Sequence, residues 1–318
     1  MRRSLPLLVA GALLFAAGCG GAGPSASAPG AVKVVATTTI LGDLARTVGG
    51  RDSDVHQLLQ PNSDPHDYEP RPHDVTAVAD AQLVLTNGDG LDAWIGKVLD
   101  AAGGERRVLD LGSRVPVTRD GAGGGRDPHW WHDVRNVEAA VVAIRDALTR
   151  AWPGARARYA RRARAYLRRL RALDGAIADC VATIPPARRV LVTDHDAFGY
   201  FAGRYGIRIV GTVIPSLTTQ AQPSAGDLAQ LARTVRRERV ETIFSERSVN
   251  GKLARAIAGE TGARVDASLY GDTLGPAGSA GATYLAMEAH DADAIVRGLR
   301  GGGSRGGCPA ALRAAASR

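Results

Sequence analysis

The seven residues "DPHWWHD", Asp127 to Asp133, place His129 and His132 on either side of Trp130 and Trp131, directly behind the glycine-rich run "GAGGG". Only seven histidines occur in the chain, so two so close together call for a reason. One reading is a metal site, since neutral imidazole binds divalent transition metals. The other is a polar loop resting on two core tryptophans. Three further residues bear on the choice: His66 in "PNSDPHDYEP", His195 in "VTDHDAFGYF" and Asp272 in "LYGDTLG". With His129 they make three imidazoles and one carboxylate, four donors that suit a tetrahedral ion such as Zn²⁺ held at about 2.0–2.2 Å. Taken singly each histidine is weak evidence. Their placement on the fold carries the argument.

Short β-branched apolar runs alternate with helical stretches, the pattern of parallel α/β units. "VKVVAT", "DVHQLLQ", "AQLVLTNG" and "ERRVLDLG" read as four strands, with helices at "ILGDLARTVGG", from near Pro72, and from about Val134 to Trp152. Pro153 opens a longer helical run that ends at "IPP". Its apolar positions Tyr159, Ala163, Tyr166, Leu170, Leu173 and Ile177 recur at three- and four-residue spacing. The arginines opposite read as the solvated side of a domain-connecting helix, with a phosphate-binding stripe as the alternative. Beyond Pro186 the alternation restarts with strands "RRVLVTD", "IRIVGT", "ETIFSE" and "ARVDA", and the chain closes on a helix and a glycine-rich tail. The expected fold is α/β. Two lobes, residues 31–152 and 187–318, each carry a four-stranded parallel sheet flanked by helices, and one long rigid α-helix, 153–186, bridges them. His66, His129, His195 and Asp272 all fall beyond the carboxyl ends of predicted strands, two in each lobe. Loops there converge on ligands in open α/β sheets, so the four are expected to meet in the interlobe cleft.

The 318 residues, 45% hydrophobic and 23% charged, suit a soluble protein with room for two domain cores. A net charge of +8 raises the question of nucleic acid or an anionic membrane. Lysine, however, occurs only at Lys33, Lys97 and Lys252, and the arginine excess has the look of biased base composition. No nucleic-acid recognition motif appears, so no such partner is expected. At the N-terminus Arg2 and Arg3 precede a short apolar stretch and the small residues of "FAAGC". This is the form of a secretory signal, too short to span a bilayer comfortably. A cysteine at the cleavage point resembles a bacterial lipoprotein signal. Residues 1–19 are therefore expected to be a signal peptide with Cys19 as the lipidated residue, and residues 20–30 a flexible tether. Outside the membrane the remaining pair, Cys180 and Cys308, is expected to form a disulfide.

The segments "PHDYEP", "DPHWW", "HDAFGYFAGRYG" and "YGDTLGPAGSAGATYL" closely resemble, in order, the zinc/manganese substrate-binding lipoproteins of bacterial ABC importers, from about Val32 to Leu299. The resemblance implies metal ligands at His66, His129, His195 and Asp272, and two α/β lobes joined by a rigid helix. It also implies a monomer anchored outside the cell membrane, or periplasmic, that serves an ABC permease, with a metallochaperone as a further partner. A manganese importer, a surface adhesin and a metal store are the alternatives. Two departures stand out: His132 and Val134 replace a usual leucine and proline, and "RDGAGGGRD" lacks the histidines of many zinc-selective relatives. Some manganese-binding relatives carry glutamate at the third ligand position. His195 stands there here, and imidazole suits Zn²⁺ where Mn²⁺ prefers oxygen.

Around the ligands, Glu246 in "IFSERSVN" is a candidate acceptor for a ligand histidine's free N–H. Asp194, Asp196 and His132 are further candidates, His132 more as a neighbouring loop residue than as a ligand. His56, His73 and His290 read as structural. Four protein donors leave no open position for a catalytic water, and no H-E-x-x-H motif occurs, so a binding protein is expected rather than a zinc hydrolase. Metal affinity is expected to fall below about pH 6.5 as imidazoles protonate. Release is expected from movement of the loop bearing Asp272 or His129, eased by Gly271, Gly275 and Gly278.

Overall fold

The computed structural model describes residues 30–121, 124–301 and 308–317. The expected signal peptide, Cys19 and nearly all of the tether lie outside the described residues. In the N-terminal lobe β1 (Val32–Ala36), β2 (Ser53–Gln57), β3 (Leu83–Thr86) and β4 (Arg107–Asp110) form one parallel sheet in the order β2-β1-β3-β4. In the C-terminal lobe β5 (Val190–Thr193), β6 (Arg208–Thr212), β7 (Thr242–Glu246) and β8 (Arg264–Leu269) repeat that arrangement as β6-β5-β7-β8. In both lobes the chain leaves the first strand on one side and returns on the other. Such reversals open a crevice at the carboxyl ends of the strands.

The crossover helices are α1 (Thr39–Gly49), α2 (Pro72–Asp80) and α3 (Ile95–Ala102) in the first lobe, and α6 (Gly199–Tyr205), α7 (Ala225–Arg237) and α8 (Lys252–Thr261) in the second. Their ends follow local chemistry. Thr38 accepts the Leu41 N–H at the start of α1, and Ser224 with Asp227 forms a capping box on α7. Helix α3 is absent from the sequence reading; at eight residues it is too short for a clear 3.6-residue period.

Helix α4 (Val134–Ala151) runs from the "DPHWWHD" loop, with Asp133 capping its first turn. Pro153–Ala155 form a separate 3₁₀ turn, so the bridging helix α5 spans Arg156–Ala182, inside the expected 153–186. Its 27 residues reach about 40 Å. All six apolar positions noted in the sequence are buried. Helix α9 (Tyr284–Leu299) packs beside α5.

Two separate domain cores were the expectation, and the packing differs. One continuous apolar cluster joins Leu41 and Trp131 of the first lobe, Leu170 and Ile177 of α5, and Leu285 and Ile295 of α9. Smaller clusters lie around Val84 in the first lobe and Ile243 in the second. The lobes are welded through α5 and α9, because both helices bury side chains against both halves. The glycine-rich tail also needs correction: helix α10 (Pro309–Ser317) follows it. It packs on α5 and α9 through buried Leu312 and Ala315. Cys308, just before α10, is disulfide-bonded to Cys180 near the end of α5, with Cα atoms 5.8 Å apart. Among the described residues no helix is long and apolar enough to cross a membrane.

Candidate metal centre

Each of the four residues picked from the sequence sits where a strand or a tight turn aims it into the interlobe crevice. His66 lies in a single 3₁₀ turn, Pro65–Asp67, capped by Asp64, whose other oxygen accepts a 2.6 Å hydrogen bond from Thr219 of the second lobe. His129 immediately precedes the 3₁₀ turn Trp130–His132. His195 follows β5 by two residues, at the reversal point of its sheet. Asp272 follows β8 in a turn that Gly271 makes at φ +45°, a left-handed value that favours glycine.

One donor atom from each of the four falls within 4.8 Å of all the others. The His129 Nε2 stands 3.3 Å from His66 Nε2 and 3.4 Å from His195 Nε2. Asp272 Oδ2 lies 3.3 Å from His66 Nε2 and 3.2 Å from His195 Nε2, while Oδ1 lies 3.5 Å from His129 Nε2. Four donors held about 2.0 Å from a tetrahedral centre stand about 3.3 Å apart. The spacing therefore fits a zinc-sized ion at the centre. His129, His195 and Asp272 are fully buried, and His66 shows only an edge. Both Asp272 oxygens lack a well-formed hydrogen bond, a costly state for a buried carboxylate without a cation.

Two carboxylates orient the imidazoles. Asp127 Oδ1 lies 2.8 Å from His129 Nδ1 and also accepts the His129 backbone N–H. Glu246 Oε1 lies 2.8 Å from His195 Nδ1. With the proton on Nδ1, each ring turns its Nε2 lone pair to the centre. Burial pushes His129 below the ordinary histidine range, against the pull of Asp272 and Asp127. Burial acts the same way on His195, but Glu246 and Asp272 outweigh it and hold this imidazole well above that range. Asp272 is held well below the usual carboxylate range, since His195 and His129 overcome its burial.

Of the other candidates, Glu246 touches one of the four, His195, directly. Asp194 does not: it accepts from Ser245 Oγ at 2.6 Å and from the Glu246 backbone N–H at 2.8 Å, and so holds the end of β7. Asp196 makes no contact with the four residues beyond charge; its backbone N–H bonds Ser216. His132 is buried away from the cluster, with Nδ1 2.9 Å from Glu288 Oε1 and its ring stacked on Phe198. Its expected place as a loop neighbour of the metal becomes a core role, because a buried glutamate on α9 claims it. His56 is exposed on β2, His73 exposed at the start of α2, and His290 bonds the Ser268 carbonyl. Asp127 is the partner that the sequence reading missed. Its signal was an aspartate two residues before a candidate histidine, close enough to meet that residue's own ring and amide.

The tryptophans pack the loop and brace the opposite wall. Trp130 Nε1 donates to the Asn87 carbonyl and Trp131 Nε1 to the Gly271 carbonyl, while the Trp131 ring stands edge-on to His129. The Asp272 turn is also held to the first lobe through Leu274 N to Thr39 Oγ1 at 2.8 Å and Asn62 N to the Leu274 carbonyl. Gly271 and Gly275 have a packing cause beyond freedom of movement. A Cβ at Gly271 would fall 1.7 Å from Glu246 Oε2, and one at Gly275 would meet the Tyr270 ring at 2.6 Å.

The same architecture occurs in known proteins. The family model described as "Zinc-uptake complex component A periplasmic" (ZnuA) matches residues 34–298. The manganese-binding lipoprotein MntA of Halalkalibacterium halodurans is 32% identical over 90% of this chain and 95% of its own length. The zinc-binding protein TroA of Treponema pallidum is 32% identical over 86% of this chain and 91% of its own. The solved structure of the latter superposes with a TM-score of 0.80, covering 85% of this chain and 99% of that one. The family model spans most of the chain, and the chain belongs to the ZnuA family of metal-binding substrate-binding proteins.

Proposed function

We propose that this chain captures a divalent metal outside the cell membrane, zinc before manganese, and hands it to an ABC import permease. His66 and His129 from residues 31–152, with His195 and Asp272 from residues 187–318, are the proposed ligands. Cys19 is the proposed lipid anchor, behind a signal peptide and tether in residues 1–30, and the protein acts as a monomer. A metallochaperone that loads it is a further proposed partner. The observation that carries the reading is the buried three-histidine, one-aspartate cluster with tetrahedral spacing. The metal is cargo, and four protein donors leave it no open position for hydrolytic chemistry.

Nitrogen-rich coordination supports zinc. One feature favours manganese as a second reading: both Asp272 oxygens face ligand nitrogens, so a bidentate carboxylate would raise the donor number to five. The two relatives named for different metals leave both readings in play. Purified protein offered equal zinc and manganese, then analysed by mass spectrometry, is expected to hold about one zinc per chain and a His195→Ala variant far less. Retention of manganese over zinc would overturn the selectivity and keep the site.

A further inference from the structure

Between Arg156 and Leu173, α5 carries eight arginines and no acidic residue; Asp174 is the first carboxylate of the helix. Biased base composition exchanges lysine for arginine, but it does not clear aspartate and glutamate from one helix face. Four of the eight have structural partners. Arg158 and Arg162 clamp Asp52, Arg171 pairs with Glu138, and Arg169 donates to the Ala316 carbonyl. The others, Arg156, Arg161, Arg164 and Arg168, are exposed and form no ion pair among the described residues. Arg161, Arg164 and Arg168 recur at i, i+3 and i+7, directly opposite the buried stripe, and span about 10 Å. Arg150, exposed at the end of α4, adds a further charge near the start of the helix.

The position of this stripe relative to the chain's entry is the second observation. Gly30, the first described residue, sits against Trp152, whose ring Arg158 overlies just inside α5. Eleven Cα–Cα steps separate Cys19 from Gly30, a reach of at most about 40 Å. Gly30 also precedes β1, at the opposite end of the strand from the metal centre. A lipid at Cys19 would therefore hold the start of the arginine stripe close to the bilayer, at the end of the lobe remote from the crevice.

We propose that the exposed arginine face of α5 is a docking surface for anionic phospholipid headgroups, which seats the tethered protein on its own membrane. The proposal rests on the anchored, extracytoplasmic reading above. Each arginine near an anionic surface strengthens association by about fivefold at low ionic strength, and a guanidinium fork matches phosphate oxygens. Three such residues together are worth about 100-fold, and the attraction falls as salt shortens the Debye length.

The test uses the full chain with Cys19→Ser, so that no acyl chain contributes, sedimented with vesicles of pure phosphatidylcholine or of phosphatidylcholine mixed with phosphatidylglycerol. Binding is expected only to the mixed vesicles, to weaken in high salt, and to fall by about 100-fold in the triple variant Arg161→Ser, Arg164→Ser, Arg168→Ser. That variant should bind metal normally, which shows that it is folded. A control with Arg233→Ser, Lys252→Ser and Arg264→Ser removes the same charge elsewhere and should retain most of the binding. Equal loss in the control, equal binding to both vesicle types, or retention on duplex DNA without vesicle binding would each overturn the proposal. Incorporation of labelled fatty acid at Cys19 in the unmodified chain tests the anchor separately, so failure of one reading is distinguishable from failure of the other.

Discussion

The candidate metal centre depends on residues outside its four donors. Glu246 orients His195, and Gly271 leaves room for Glu246, since a Cβ there would overlap its carboxylate. Gly271→Ala should therefore displace Glu246 and strain the turn that bears Asp272. Loss of such an orienting partner lowers metal affinity by about 10–100-fold, and isothermal titration with zinc should read a drop of that size. An unchanged affinity would show that the turn has slack and that Glu246 is dispensable. His132 makes the opposite prediction. His132→Leu leaves Glu288 buried without its imidazole, which costs about 2–4 kcal/mol. Chemical unfolding should detect that loss while metal affinity stays at its original value, because His132 bonds α9 and not the cluster.

At the scale of elements, one aspartate gathers three polar residues of α5 onto the first lobe. Asp52, in the turn before β2, accepts from Arg158 and Arg162, and the Asp52 carbonyl accepts from the Tyr159 hydroxyl. Arg158 first, and then Arg162, hold the Asp52 carboxyl below the usual carboxylate range. A lowered folded value means that the stabilisation is present above the unfolded value of about 3.9 and is lost as pH falls through the folded one. Asp52→Asn should thus cost about 1–2 kcal/mol at neutral pH and flatten the acid limb of the stability profile below about pH 4. Denaturant melts of both proteins at neutral and acid pH would check it. Parallel acid limbs would place the acid sensitivity elsewhere.

For the whole molecule, the disulfide and the shared core set the architecture. The Cys180–Cys308 bond closes a loop of 128 residues that holds β5 through β8, α9, His195 and Asp272. In the chain-entropy view such a closure stabilises by about 4–5 kcal/mol. Reduction, or Cys180→Ser with Cys308→Ser, is expected to lower the thermal midpoint by several degrees, about what a change of that size produces in a chain this long. Bound zinc should recover part of the loss, since a ligand that binds only the folded state stabilises it. A midpoint indifferent to reductant would mean that α10 and its contacts with α5 and α9 suffice. The core that runs through both lobes also explains why the crevice walls are braced on both sides, by Trp131 on Gly271 and by Thr39 on Leu274.

Local patterns determined a good deal by themselves. Alternating β-branched runs specified eight parallel strands, and the 3.6-residue period of α5 marked its buried stripe position by position. The four donor residues were legible because each follows a strand end, where parallel sheets must present their loops. Two kinds of feature were not. Helix α3 escaped because eight residues hold few turns and no side-chain cap marks its start, whereas Pro72 marks the similarly short α2, and α10 follows a glycine-rich run that reads as tail. The partners of the buried polar groups escaped because they lie far apart in the chain: His132 with Glu288 is 156 residues distant, Trp131 with Gly271 is 140, and Thr39 with Leu274 is 235. Sequence pattern records which face of an element is apolar, since that is repeated every turn or every second residue. Whether a buried imidazole joins the histidine–aspartate cluster, as His195 does, or only a glutamate, as His132 does, rests on single contacts with no repeat, and only the packing of the two lobes decides it.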